Sequence, residues 1–282
     1  MKEGNAISGH TVSGRTRSSG ATTGATWLKL LLMATALPLL FVGAWWLVTA
    51  SADSYFFPPP GEIANVFAPT WFEGRFTTDV VPSLLRLICG YLIGLGAGVS
   101  LGIAIGSSPG LRAFCEPVLE FCRAIPSPVL VPVLMLFLGI GDTMRISVIA
   151  VGAFWPVLLN TVEGVRSIDS VLEDTSRVYS LRLPTRIRVL LLRGASPLIV
   201  TGAKQALSIA LILMVISEMF AARDGLGFSI VQFQRSFAVP EMWTGIILLG
   251  LIGVALSALF SIAERWALVW YRGMHRSQGG KG

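Results

Sequence analysis

Leu87-Ile88-Cys89-Gly90-Tyr91-Leu92-Ile93-Gly94-Leu95-Gly96-Ala97-Gly98-Val99-Ser100-Leu101-Gly102-Ile103-Ala104-Ile105-Gly106 contains no Asp, Glu, Lys or Arg. A helix needs about 20 mostly apolar residues to cross a bilayer, so this stretch is long enough by itself. Gly94 and Gly98 have the spacing that lets helices approach closely, which predicts packing within one subunit or across a dimer. Leu30 to Ala50 and Trp243 to Ile262 have the same uncharged character. Ile146 to Val162 is uncharged but shorter, and Gln205 to Ala222 carries a single charge, Glu218. Pro126 to Ile140 begins Pro-Ser-Pro and holds Pro132 inside. It is either a broken span or one shielded by neighbouring helices, where irregular backbone is tolerated. Together these windows predict an all-α integral membrane protein with about six transmembrane helices, occupying residues 27–270.

Composition agrees. Of 282 residues, 53% are hydrophobic and 13% charged, and the mean hydropathy is +0.70. Soluble domains carry about 25% charged residues, so a water-soluble globule is excluded. Disorder is excluded by the same apolar content. The net charge of +6 would suit nucleic acid only on an exposed soluble face, and the cations sit instead where membrane topology puts them. Cys89, Cys115 and Cys122 form no CxxC pair and encode neither a metal site nor a disulfide framework; small buried hydrophobes are expected. Residues 1–26, rich in Gly, Ser and Thr, form an expected disordered tail, and residues 271–282 form a second tail. Ala50-Ser51-Ala52 resembles a signal-peptidase site, but the preceding apolar run exceeds an h-region of about 7–15 residues and reads as an uncleaved first helix. The segment 163–204 carries Arg166, Arg177, Arg182, Arg186, Arg188, Arg193 and Lys204. That bias predicts a cytoplasmic segment, with both termini on the same side.

Within 163–204, Val171 to Tyr179 has Glu173 and Asp174 early and Arg177 later, which suits a helix dipole. Ser180-Leu181-Arg182-Leu183-Pro184 reads as a break, and Thr185 to Leu192 restarts with Ile187, Leu190 and Leu191 on one face. A short helix, a turn and a second helix on the cytoplasmic side form either a docking surface for another protein or an amphipathic connector at the headgroups.

Asp174-Thr175-Ser176-Arg177-Val178-Tyr179-Ser180-Leu181-Arg182, followed by Arg193-Gly194-Ala195-Ser196-Pro197 and Thr201-Gly202, resembles the cytoplasmic EAA loop of ABC-transporter permeases. The chain resembles in particular the nitrate/sulfonate/taurine/bicarbonate branch of the binding-protein-dependent importers. Phe57-Pro58-Pro59-Pro60-Gly61-Glu62-Ile63, Ser83-Leu84-Leu85-Arg86-Leu87, Arg123-Ala124-Ile125-Pro126, Phe137-Leu138-Gly139-Ile140-Gly141, Phe154-Trp155-Pro156-Val157-Leu158-Leu159-Asn160-Thr161 and Gly225-Leu226-Gly227-Phe228 carry that resemblance in order. It implies a type I ABC importer permease (MetI-like) fold in a bacterial inner membrane. The implied partners are a second copy as homodimer, cytoplasmic ABC ATPase subunits, a periplasmic or lipid-anchored solute-binding protein and the lipid bilayer, with no nucleic acid. Glu173, Asp174, Arg177, Ser180, Leu181, Arg182 and Pro184 would couple to the ATPase. Gly225, Leu226 and Gly227 would lie on the binding-protein side. The implied solute is an organic sulfonate, taurine, nitrate or a similar oxyanion. Where the family has Glu-Ala-Ala this chain has Asp174-Thr175-Ser176, its glycine is Ser180, and the proline of its Leu-Pro pair is Arg193. The lost glycine bears on the turn, because a non-glycine residue at positive φ is disfavoured.

No GxxxxGK[ST] phosphate loop occurs; the one Gly-Lys pair is Gly280-Lys281 at the C-terminus. Hydrolysis is therefore expected on another chain, with ATP and Mg bound there and no cofactor or metal bound here. Glu218 is the one ionisable residue well inside a proposed span, and a carboxylate there costs at least about 2.5 kcal/mol. It is either a pathway or gate residue or a structural carboxylate bonded to a neighbouring helix. Ser217, Gln205 and Asn160 are further pathway candidates. Lys204 either meets an anionic solute or snorkels from a helix end. A self-contained secondary transporter or channel is the rival reading; it would show an inverted repeat and several intramembrane polar groups.

Overall fold

Helices make up nearly all of the computed structural model, which describes residues 24–50 and 55–269. The tails, with His10, His275, Trp270, Tyr271 and the Gly280-Lys281 pair, lie outside these, apart from residues 24–26. The chain divides into two units, Met1–Ser54 and Tyr55–Gly282. The first contains α1 (Gly24–Ala50), which includes Pro38. Leu37, Leu40, Phe41, Leu47 and Val48 are all exposed, so the described part of α1 turns apolar side chains outward.

The second unit holds α2 (Pro60–Phe72), α3 (Val81–Gly106), α4 (Pro109–Ala124), α5 (Leu130–Leu138), α6 (Asp142–Arg166), α7 (Ser170–Val178), the single turn α8 (Leu183–Thr185), α9 (Leu192–Ala221), α10 (Leu226–Arg235) and α11 (Val239–Ala267). A π turn, Phe76–Val80, leads into α3, and another, Arg186–Leu191, joins α8 to α9. Among the described residues, four helical runs are long and apolar enough to cross a membrane: Phe76–Gly106, Asp142–Arg166, Leu183–Phe220 and Val239–Ala267. A bent pair, Pro109–Ala124 with Ser127–Leu138, makes a fifth if it is counted as one span, and Thr35–Thr49 of α1 is a shorter apolar helix.

The glycine stripe explains the central packing. A Cβ on Gly94 would stand 2.5 Å from the carbonyl oxygen of Ala150, and one on Gly102 would stand 2.5 Å from Cβ of Thr161. Gly90, Gly98 and Gly106 meet Ile149, Val157 and Val165 in the same way, so α3 and α6 run parallel in close contact within one subunit. Gly164 abuts Ala195 while Gly152 abuts Leu213, so α9 runs antiparallel to α6. Gly253 against Leu211 and Lys204 against Glu264 make α11 antiparallel to α9. The core of Ile149, Ala153, Val157, Ala206, Ala210, Leu213 and Met214 lies among α3, α6 and α9.

Parallel α3 and α6 require the chain between them to return to the end where α3 began. The return is made by α4 and the Ser127–Leu138 segment, which meet at 81°. The bend follows from Pro126: Ile125 before it is extended, with ψ 120°, and Pro128 follows two residues later. The window 126–140 is thus one arm of a bent helix pair, a broken span or a re-entrant loop, whose other arm is α4.

Several boundaries differ from the sequence reading. Residues 107–125, expected as a loop, form α4, whose charges are spaced along an amphipathic helix. The uncharged window 146–162 extends to Asp142–Arg166. The segment 163–204 is not one loop, because only residues 167–182 lie outside the long helices and Thr185 to Leu192 begins the run that continues as α9. The thiols are free, but none is buried, and Cys89 is exposed among the outward apolar residues of α3.

Candidate functional site

Two polar constructions stand at opposite ends of α6, which at 1.5 Å per residue is about 37 Å long. The first is α7 and its turn. The Asp169 carboxylate accepts from the Val171 N–H at 2.9 Å and caps the helix. Glu173 and Asp174 both pair with Arg177, at 3.8 and 3.7 Å, and Glu173 reaches Arg186 at 3.7 Å, tying α7 to the start of the α9 run. Thr175 and Ser176, where the resembling loop has alanines, turn their hydroxyls onto the carbonyls of Val171 and Glu173. Ser180 has φ +49°. Its N–H donates to the Arg177 carbonyl and that of Leu181 to the Ser176 carbonyl, a Schellman closure in which serine occupies the left-handed position normally given to glycine. Arg182 is the extended N-cap of α8, and Pro184 sits in its first turn. Val178 is 82% and Tyr179 75% exposed, and Val171, Leu172 and Leu183 are also exposed, so a short polar helix presents an apolar patch.

The second construction gathers the starts of α3, α6 and α10 and the end of α9. The successive N–H groups of Gly225, Leu226 and Gly227 donate to Asp79 at 3.1 Å, Ser83 Oγ at 2.9 Å and Glu218 at 3.0 Å. Three side chains from other helices thus satisfy the orphan donors at the start of α10, and two of them are carboxylates suited to its dipole. Glu218 is wholly buried; Ser83 Oγ lies 2.7 and 2.8 Å from its oxygens and Arg86 Nη1 donates at 3.0 Å. Arg86 also donates to Asp142 and Asp224, both at 2.8 Å, and Arg145 to Asp142 at 2.9 Å. Asp79 accepts from Ser229 at 2.8 Å. Gly225 has φ +113°, and a Cβ there would lie 2.5 Å from the Glu218 carboxyl carbon; one on Gly227 would lie 2.5 Å from the Val215 carbonyl oxygen. The Gly-Leu-Gly sequence follows from that approach, with Leu226 wholly buried between.

Residues 90–268 match the family described as binding-protein-dependent transport system inner membrane component. The chain belongs to this family. It is 28% identical over 246 residues to the putative aliphatic sulfonates transport permease protein SsuC of Bacillus subtilis (strain 168), covering 86% of this chain and 88% of that one. It is 33% identical over 189 residues to the nitrate import permease protein NrtB of Leptolyngbya laminosa, covering 66% and 67%. It is 27% identical over 234 residues to the taurine transport system permease protein TauC of Escherichia coli (strain K12), covering 80% and 85%. A structure of the inward-facing MetNI methionine ABC transporter shares the fold, with a TM-score of 0.53 and 23% identity over 68% of this chain and 94% of that one. The chain is therefore an importer permease, and the self-contained secondary transporter or channel is set aside.

In this permease the sequence-derived pathway candidates separate. Asn160 and Gln205 meet across α6 and α9 at 3.3 Å, and Asn160 also donates to the Pro156 carbonyl. Ser217 is buried, and its hydroxyl donates to the Met214 carbonyl one turn back at 2.9 Å. Glu218 is not the one ionisable group held within the helices: Arg86 and Arg145 are about as buried as Asp79, at 5%, 4% and 6% exposure. Asp79, Ser83 and Arg86 recur at four and three residues, one helical face, which was the sequence signal for the cluster. Lys204 is not at a helix start, since its helical run begins at Leu183, and its ammonium lies 3.7 Å from Glu264.

Proposed function

We propose that this permease works as a homodimer with two cytoplasmic ATPase subunits and an external solute-binding protein, importing a small oxyanion of the alkanesulfonate or taurine kind. The observation that carries the coupling is the exposed apolar patch of Val178 and Tyr179 on α7, at the end of α6 opposite the Arg86–Glu218 cluster. An apolar patch on a short polar helix fits a partner groove. Glu173, Asp174, Arg177, Ser180, Leu181, Arg182 and Pro184 shape that element. ATP and Mg bind the partner, and closure of the two ATPases draws the paired α7 helices together and tilts α6 and α9.

In this reading the α7 end is cytoplasmic and the α10 end faces outward. The direction of α11, antiparallel to α9, returns its C-terminal end to the α7 side. The arginine bias around α7 supports that orientation. Gly225, Leu226 and Gly227 then sit under the docked binding protein, and Glu218 fixes the loop rather than meeting the solute. Sulfonate is favoured as solute because the sulfonate and taurine relatives align over at least 80% of this chain.

Co-purification in mild detergent tests the docking. Tagged permease with its ATPase is compared with Asp174→Arg and Ser180→Trp. Retention by the wild type and loss by both variants is expected; equal retention would move the main contact elsewhere.

A further inference from the structure

Hydroxyls in spanning helices usually bond to a carbonyl of their own preceding turn. Ser100, Thr161, Ser217 and Ser261 do so here. Ser208 on α9 and Ser257 on α11 do not; among the described residues neither side-chain hydroxyl has a hydrogen-bond partner. Both line one groove of about 280 Å³ between α9 and α11, and Lys204 lines it too.

Lys204 is engaged only loosely. Its ammonium stands 3.7 Å from the Glu264 carboxylate, beyond hydrogen-bond range, so its donors are not consumed. The remaining wall is apolar, with Leu211, Leu256 and Phe260. Polar groups within a membrane span that lack an internal partner face water, protein or a ligand. One cation and two hydroxyls able to donate form a set that an acceptor-rich group satisfies, and the apolar wall suits the chain attached to it.

We infer that the α9–α11 groove is a subsite for an anionic head group carried on an aliphatic chain, with Lys204 supplying charge and Ser208 and Ser257 supplying hydrogen bonds. The inference rests on the proposed oxyanion import and deepens it by placing a stop for the solute inside the permease. The groove lies just below the roughly 300–1,000 Å³ of small-molecule sites, enough for a short alkanesulfonate. An anionic phospholipid offers the same head-and-chain chemistry, so the test must separate the two.

The complex of permease, ATPase and binding protein is reconstituted, and ATP-driven uptake of butanesulfonate is measured for the wild type, Lys204→Met, Lys204→Arg and the double variant Ser208→Ala/Ser257→Ala. Lys204→Met is expected to lower uptake by about ten-fold or more, since a hydrogen bond to a charged group contributes about 1.5–3 kcal/mol, and Lys204→Arg to restore most of it. The Ala pair should raise KM with a smaller effect on the maximal rate. ATPase retention in co-purification reports folding of each variant. In parallel, the thermal shift of detergent-purified permease is read with butanesulfonate and, separately, with phosphatidylglycerol. A Lys204-dependent shift by butanesulfonate identifies the solute as occupant, and one by phosphatidylglycerol alone keeps the head-group chemistry but assigns it to lipid. Wild-type uptake and shifts in folded Lys204→Met would overturn the subsite while leaving the proposed import intact. A Lys204-dependent butanesulfonate shift without wild-type uptake would instead reject sulfonate import and keep the subsite, and absence of both would reject the two together.

Discussion

Replacing Arg86 with Met removes the cation that joins three carboxylates while keeping much of the side-chain volume. Two of them lose little: Asp142 and Asp224 have side chains 63% and 45% exposed and are rehydrated once the guanidinium goes. Glu218 is the costly partner, since its side chain has no exposed surface and would remain as an uncompensated buried charge. Breaking a buried pair on one side costs about 3–5 kcal/mol. The hydrogen bonds that Glu218 keeps from Ser83 and Gly227 place Arg86→Met near the lower end, about 3 kcal/mol. At about 2–4 °C per kcal/mol for a chain of this size, Tm should fall by roughly 6–12 °C. The assay is thermal unfolding of detergent-purified protein at a fixed scan rate, because membrane proteins unfold irreversibly and Tm is then operational. Arg86→Met/Glu218→Met removes the stranded charge as well and should recover part of the loss. A single variant within experimental scatter of the wild type, or a double variant lower than the single, would refute the reasoning.

Gly225→Ala places a Cβ against the Glu218 carboxyl at a backbone angle of φ +113°; a loss of at least about 2 kcal/mol is expected, read as a lower Tm, and an unchanged Tm would contradict the close approach. Ser180→Gly relieves the left-handed serine and should stabilise the α7 turn by up to about 1 kcal/mol with ATPase retention preserved; lowered protection of the turn in hydrogen exchange would count against it. Tyr179→Asp puts a charge into the exposed apolar patch and should weaken ATPase retention about ten-fold without changing Tm, as for a docking anchor. Gly102→Leu drives a side chain into Thr161 and should cost about 3 kcal/mol or more, measured as loss of monodisperse protein on gel filtration.

The apolar windows located the spanning helices because lipid leaves few other arrangements for such stretches. The glycine spacing foretold the contact between α3 and α6, and the loss of a glycine at Ser180 pointed to a turn that does take positive φ. What stayed hidden was everything that depends on charges being paired. A window rule stops at each charge, so it cut α4 at Arg112, Glu116, Glu120 and Arg123, although Arg123 and Glu120 pair at 2.7 Å. It also began the helical run Leu183–Phe220 too late, because Arg186, Arg188 and Arg193 lie along that run's first turns. Arg86 read as a loop cation at a span edge, since its partners Asp142, Glu218 and Asp224 come from distant parts of the chain. The half of the cluster on one helix, Asp79, Ser83 and Arg86, was legible as a face; its meaning was not. Gly225-Leu226-Gly227 was expected on the binding-protein side, and its glycines are accounted for by the approach of Glu218 and of the Val215 carbonyl.

The most direct test of the central claim is solute uptake into proteoliposomes containing the permease alone or with its ATPase and binding protein. Butanesulfonate accumulation is expected only in the complete set and only with ATP, and is lost when Asp174→Arg replaces the wild type. Accumulation by the permease alone, driven by an ion gradient and indifferent to ATP, would contradict it.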